Sequence, residues 1–447
     1  MKLFRKILFW SHLAAGLTAG LFIGVMSFTG TTLAFEDEIV TWAERDARQV
    51  TPPAILPSDS SAKTSATTES LAKQGATRLS LADLQHKLRE AQPEFRTASM
   101  TLQNDPTAAV AFSAGRDGGF YVNPYTGEIR QPASTKVHDF MQLMLTWHRF
   151  LGREGDQRPV GKAINGACNI AFFVLAVTGL YLWWPRTWSW RGIKAIALFN
   201  WKLSGKARDF NWHNAIGLWS APILIVLTLT AVPMSYRWGS NLIYQLVGEE
   251  PPAPPGAPST TTTPTFEIKR PSPEARPLGY DTLVATIQKD FPHWEQIVLR
   301  PGGAQRSQRP LTSTNAATPR TATETGSEKI EHRESKKEKT PSPLTITIRE
   351  AGSWPRTATT TLTLNPFTGE IFKREGLGGY STGRQIRTWT RFLHTGQALG
   401  WPGQLIAGLA CLGACFLVYT GFALSWRRFF GRGALPPIAS TQPAQSS

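Results

Sequence analysis

The sequence predicts an α-helical membrane protein with four transmembrane helices in two repeated halves, each half carrying a small α+β domain outside the membrane. Three observations predict it. Four apolar stretches, near residues 7–35, 161–184, 213–236 and 403–426, each reach the roughly twenty residues that a spanning helix needs. Residues 123–186 return at 365–428 without a gap, at an offset of 242 (365 − 123). Three sets of Lys and Arg, before the first stretch, between the second and third and after the fourth, fall on one side.

The first stretch lies within residues 1–36, after Lys2, Arg5 and Lys6. A cleaved signal peptide is the competing reading, since Thr32-Leu33-Ala34 resembles a cleavage site. A retained helix is expected instead. The run is about twice a signal peptide's apolar region, and a second echo at offset 201 (213 − 12) links His12, Gly16 and Thr29 to His213, Gly217 and Thr230.

The first outer domain is expected at 77–132. Residues 79–93 read as a helix with Leu81, Leu84 and Leu88 on one face. Residues 100–102, 109–112 and 120–122 read as strands. Asn123-Pro124-Tyr125-Thr126-Gly127 is a turn, because Pro fixes φ and Gly supplies a positive one. It returns as Asn365-Pro366-Phe367-Thr368-Gly369. A membrane-edge helix and the second span follow at 136–185, then a basic loop at 186–211 and the third span at 212–237. A Pro/Thr linker occupies 251–277, and residues 51–70 read as another linker. The second outer domain is expected at 278–375. Its first helix aligns with the earlier one at offset 199 (278 − 79), so the later offset of 242 implies an insert. That insert, at about 301–344, is polar and expected to be disordered; His332 falls within it. A second membrane-edge helix and the fourth span fill 384–428, and 429–447 form a tail.

The formal charge of +16 does not indicate nucleic acid, because no basic stripe carries interleaved aromatics. The basic residues sit before span one, between spans two and three (Arg186, Arg191, Lys194, Lys202, Lys206, Arg208) and after span four (Arg427, Arg428, Arg432). The positive-inside rule then places both termini in the cytoplasm. Trp147, Trp183, Trp184, Trp389, Trp401 and Trp426 are expected as interface anchors. Cys168, Cys411 and Cys415 all lie in spans, so they staple no outer domain and read as packing residues.

Chemistry rests on histidine. His12 and His213 lie near the inner ends of spans one and three; His148 and His394 lie just before spans two and four, on the outer side. An ionisable group at a membrane is a functional hypothesis by default. A b-type haem fits best, held by neutral imidazoles from facing helices of a bundle. Gly16, Gly20 and Gly217 beside the inner pair, and Gly396 and Gly400 beside His394, are expected to admit a porphyrin. The inner pair obeys the repeat. The outer pair does not, since His148 aligns with Thr390 and His394 with Gly152; the displacement is one helical turn. His138 is a competing outer ligand. Arg149, Arg387 and Arg391 are candidates to pair with haem propionates, beside the reading that they are ordinary interfacial charge. Zinc is weaker, for want of a His/Cys cluster. His86 and His293 are expected to face solvent. No Gly-rich nucleotide loop or catalytic triad occurs.

The Asn-Pro-x-Thr-Gly-Glu-Ile turn, His148-Arg149-Phe150-Leu151-Gly152, Phe392-Leu393-His394-Thr395-Gly396 and Thr178-Gly179-Leu180-Tyr181-Leu182-Trp183-Trp184-Pro185-Arg186 together resemble the PepSY-associated transmembrane proteins. That family includes iron-regulated inner-membrane proteins and ferric-siderophore reductases of Gram-negative bacteria. The resemblance covers the chain apart from the insert and linkers. It implies a bacterial inner-membrane protein with two periplasmic PepSY domains and two haems b, ligated by His12, His213, His148 and His394. It also implies electrons supplied by quinol or a cytoplasmic reductase and passed to a periplasmic ferric siderophore. The other readings it leaves open are a membrane-anchored peptide-binding or protease-regulating protein, and an electron conduit for another oxidoreductase.

Overall fold

The computed structural model describes residues 2–53, 78–115, 118–132, 135–184, 189–254, 268–272, 274–300 and 342–430. The insert, most of both linkers, the tail beyond 430, Arg186, Arg432 and His332 lie outside the described residues. In chain order the helices are α1 (Lys2–Leu33), α2 (Glu36–Ala43), α3 (Arg45–Arg48), α4 (Leu81–Ala91), α5 (Lys136–Phe150), α6 (Arg158–Trp183), α7 (Trp190–Ala197), α8 (Gly205–Ser235), α9 (Arg237–Leu246), α10 (Tyr280–Asp290), α11 (Thr382–His394) and α12 (Trp401–Phe429). The strands are β1 (Ser99–Gln103), β2 (Val110–Ser113), β3 (Gly119–Val122), β4 (Ile129–Arg130), β5 (Trp294–Arg300), β6 (Leu344–Glu350), β7 (Thr360–Leu364) and β8 (Ile371–Glu375). Two compact units result, a helical one (Met1–Ile39, Lys136–Leu246, Ile386–Ser447) and a sheet unit (Val40–Thr135, Val247–Gln385).

In the helical unit, α1, α6, α8 and α12 are long and apolar enough to cross a membrane. Helix α1 packs on α6 and α12, and α8 packs on the same two, so α1 and α8 stand diagonally in a four-helix bundle. Helix α8 begins eight residues before the apolar run does. In its polar first turns Asp209, about 2% exposed, pairs with Arg208 at 2.9 Å and with Arg427 of α12 at 3.1 Å. Asn211 donates to the carbonyls of Ala195 and Leu198. Deep in the bundle, the Asn169 amide of α6 donates to Thr228 O of α8 at 3.0 Å. Buried polar groups must be paired inside a bilayer, and these pairs fix helix register as they meet that demand. A side chain at Gly161 would run into the Phe150 carbonyl, and one at Gly403 into the Gly396 carbonyl. Gly161 and Gly403 are 242 apart, and each lets the preceding segment cross its span at backbone distance.

The sheet unit departs from the expectation of two separate small domains. Its strands form one eight-stranded sheet in the order β4-β3-β2-β1-β5-β6-β7-β8. The junction is β1 against β5, antiparallel, with Met100 opposite Leu299. Those residues are 199 apart, the offset that relates the two first helices, so each is paired with its own counterpart. This is the register of a self-complementary two-fold contact. Alone, each four-stranded sheet would expose a long edge; joining them covers both. Leu84, Leu88, Met100 and Phe112 share a single core with Leu283, Ile287, Ile297 and Leu299. The Asn-Pro-x-Thr-Gly turns have matching geometry. Asn123 Oδ1 accepts from Tyr125 N and Asn365 Oδ1 from Phe367 N, both at 2.9 Å, and Gly127 and Gly369 take φ of 76° and 74°. Leu79 N donates to Pro124 O and Leu278 N to Pro366 O, both at 2.8 Å.

Candidate histidine sites in the helical bundle

The four singled-out histidines meet in two pairs. His12 on α1 and His213 on α8 lie at the basic end of the bundle, within charge–charge range of each other. His148, at the end of α5, and His394, at the end of α11, face each other at the far end with ring centres 6.2 Å apart. Among the described residues no three His, Cys, Asp or Glu side chains come together as a metal group. His138 is exposed and lies within charge range of Glu36. His86 and His293 are exposed.

Each imidazole is held through Nδ1. His148 Nδ1 donates to Met26 O at 3.0 Å, and His394 Nδ1 to Leu227 O at 2.9 Å. A carbonyl only accepts, so both rings carry their proton on Nδ1 and leave Nε2 as a free lone pair. His12 Nδ1 lies 2.8 Å from Thr178 Oγ1, and His213 Nδ1 lies 2.9 Å from Thr420 Oγ1. Thr178 spends its own hydroxyl proton on Val174 O at 2.6 Å, and Thr420 spends its own on Phe416 O at 2.8 Å. Toward histidine, each threonine therefore accepts. All four rings therefore carry their proton on Nδ1 and a lone pair on Nε2.

Met26 and Leu227 are 201 apart, the offset that relates α1 to α8. The His148–His394 pair is thus symmetric in its anchoring, although the sequence displaces it by a turn. The extra turn is absorbed locally: Leu151 takes φ 54° and Gly152 φ 75° after α5, whereas Gly396 (φ 74°) and Gly400 (φ 64°) form a longer reversal after α11.

Three glycines beyond those singled out in the sequence lie against the rings. A Cβ at Gly179 would stand 3.3 Å from His12 Cε1, one at Gly421 3.8 Å from His213 Cε1, and one at Gly30 3.2 Å from His148 Cε1. Gly20 instead packs against Phe422, Gly16 against Leu175 and Gly217 against Leu417. Gly396 and Gly400 serve the reversal. Cys411 Sγ also borders Gly30.

Of the arginines, Arg149 lies over the Phe150 ring at 5.7 Å. Arg391 is exposed and within charge range of Arg387. Arg387 is half-buried, donating to Ser240 Oγ at 3.2 Å and Thr390 Oγ1 at 3.4 Å. Among the described residues no carboxylate pairs with it. Burial and Arg391 both push its guanidinium below the ordinary arginine value, so an anion at this place would relieve it.

A family model described as the PepSY-associated TM region matches residues 9–428. The chain belongs to the PepSY-associated transmembrane family. None of the curated proteins compared with it matches. The match runs through all four spans, so every histidine of both pairs lies inside the PepSY-associated region. Membership makes this a multi-pass membrane protein. The Thr178-Gly179 and Thr420-Gly421 dipeptides were visible as repeat matches, yet nothing local assigned them to histidines more than 150 residues away. Met26 and Leu227 act through backbone carbonyls, which leave no trace in side-chain identity.

Proposed function

We propose that the chain is a haem-dependent inner-membrane reductase that moves electrons across the membrane to a periplasmic ferric siderophore and releases iron as Fe(II). The observation that carries this reading is the paired, Nδ1-anchored histidines at the two ends of one bundle. They suit one b-type haem at each pair, with His12 and His213 holding the inner and His148 and His394 the outer. Gly179, Gly421 and Gly30 supply backbone surface where a flat macrocycle needs it. Bound haem would supply one-electron chemistry at each end. The protein's own residues orient the ligands, exclude water and, through Arg387 and Arg391, offer charge to a carboxylate at the far end. Arg149 is less well placed for that role. Reduction would free the iron, because hard siderophore oxygens hold Fe(II) far more weakly than Fe(III).

The test is spectroscopic. Protein purified in detergent is expected to show a Soret band at two haems per chain, to be reduced by dithionite, and to be reoxidised by a ferric siderophore with Fe(II) appearing in a ferrous-specific trap. Colourless protein would end the redox reading and leave the anchored sheet-domain reading. Coloured protein that no ferric chelate reoxidises would favour a conduit to another oxidoreductase.

A further inference from the structure

The sheet unit holds a groove of about 380 Å³ lined by Gln85, Arg89, Phe95, Arg96, Thr97 and Tyr280, with Leu88 and Pro93 completing it. Helix α4 supplies one wall, the segment entering β1 another, and Tyr280, from the start of α10, closes it from the other half of the sheet. The Tyr280 phenol is within charge range of Arg89. Among the described residues neither Arg89 nor Arg96 has a carboxylate partner, and no acidic side chain lines the groove.

The repeat provides an internal comparison. At offset 199, Arg89 corresponds to Gln288 and Arg96 to Glu295. Glu295 is already satisfied by Arg349 at 3.1 Å and Arg356 at 3.9 Å. Tyr280 corresponds to Leu81, which is buried in the core. The two halves keep the same core positions, Leu84 with Leu283 and Leu88 with Ile287. They differ in charge where the groove lies. Packing explains the shared positions; it does not explain two unpaired guanidiniums in one copy only.

We propose that this groove binds a small carboxylate-bearing ligand, with Arg89 and Arg96 taking the carboxylate oxygens and Tyr280, Gln85 and Thr97 supplying neutral hydrogen bonds around Phe95. Guanidinium is the side chain best shaped for a carboxylate. The proposal stands apart from the redox reading and needs no haem.

Citrate is a suitable probe, titrated calorimetrically into the full-length protein in detergent at low salt. Arg89→Gln and Arg96→Gln are each expected to weaken binding about five- to tenfold, the range of a solvent-reached charge-assisted hydrogen bond. Both side chains are exposed, so the fold should survive. Lys87→Gln removes the same charge from the same helix outside the groove and should change binding less than twofold. Citrate that fails to bind wild type at millimolar concentration overturns the proposal. So does a Lys87→Gln loss equal to that of the arginine variants, since the attraction would then be general charge.

Discussion

His148 and His394 come from segments that the repeat does not align, yet their rings meet 6.2 Å apart and tilted by 49°. Each hangs from an equivalent backbone carbonyl, Met26 O or Leu227 O. A repeated pair of acceptors thus holds a non-repeated pair of donors.

Removing one ring should therefore empty one site and spare the other. His12→Ala or His213→Ala is expected to remove about half of the bound haem, and His148→Ala or His394→Ala the other half. Haem per chain and redox titration separate the outcomes. Unchanged haem content in any of these variants would remove that histidine from the ligand set.

The glycines facing the rings predict steric loss without loss of fold. Gly179→Val and Gly30→Val place methyl groups against His12 and His148. Each should lose its own site's absorbance while circular dichroism stays unchanged. Gly24→Ala, with only Val418 at 3.6 Å, is the tolerated control.

Thr178 and Thr420 accept from Nδ1 of His12 and His213 and so set tautomer and ring angle. Thr178→Val keeps the shape and removes the acceptor. Haem loss to an apoprotein trap should become about 10- to 100-fold faster, the usual cost of an outer-shell partner. Thr178→Ser should restore the slow rate. Equal rates for Val and Ser would reduce Thr178 to a packing residue.

Helix α11, which delivers His394, has a pH-sensitive start. Glu249 Oε2 accepts from Ser381 Oγ at 2.6 Å and from Gly383 N at 3.0 Å. Those bonds hold its carboxyl below the ordinary value of 4.5. A depressed folded-state pKa means the contribution is complete above that ordinary value and is lost as pH falls through the folded one. Amide exchange at Gly383 and Arg384 should accelerate, beyond its intrinsic pH dependence, only on acidification past that point. In Glu249→Gln it should be fast throughout.

The joint sheet predicts joint unfolding. Met100→Ala, at a fully buried position on the junction strand, should cost about 3 kcal/mol. It should shift protection of β2 and β6 together in hydrogen exchange. Loss confined to β2 would mean two independent halves.

The four spans were legible in the sequence, because a bilayer demands about twenty apolar residues. The sequence also determined the turn chemistry of Asn123–Gly127 and its copy, since those backbone angles are local, and it singled out the histidines as residues needing a reason. It did not single out Gly179, Gly421 and Gly30, because a glycine that faces a histidine looks like any other in a helix until the neighbouring helix is known. Only the tertiary structure decided that Gly179 faces His12 and that Thr178 accepts its proton. It also decided that Arg387 rather than Arg149 stands half-buried, with no acidic partner among the described residues, and that the two strand-bearing segments share one sheet through Met100 and Leu299. Each of these depends on which surfaces meet across a long stretch of chain, and a sequence repeat shows that surfaces correspond without showing what lies opposite them.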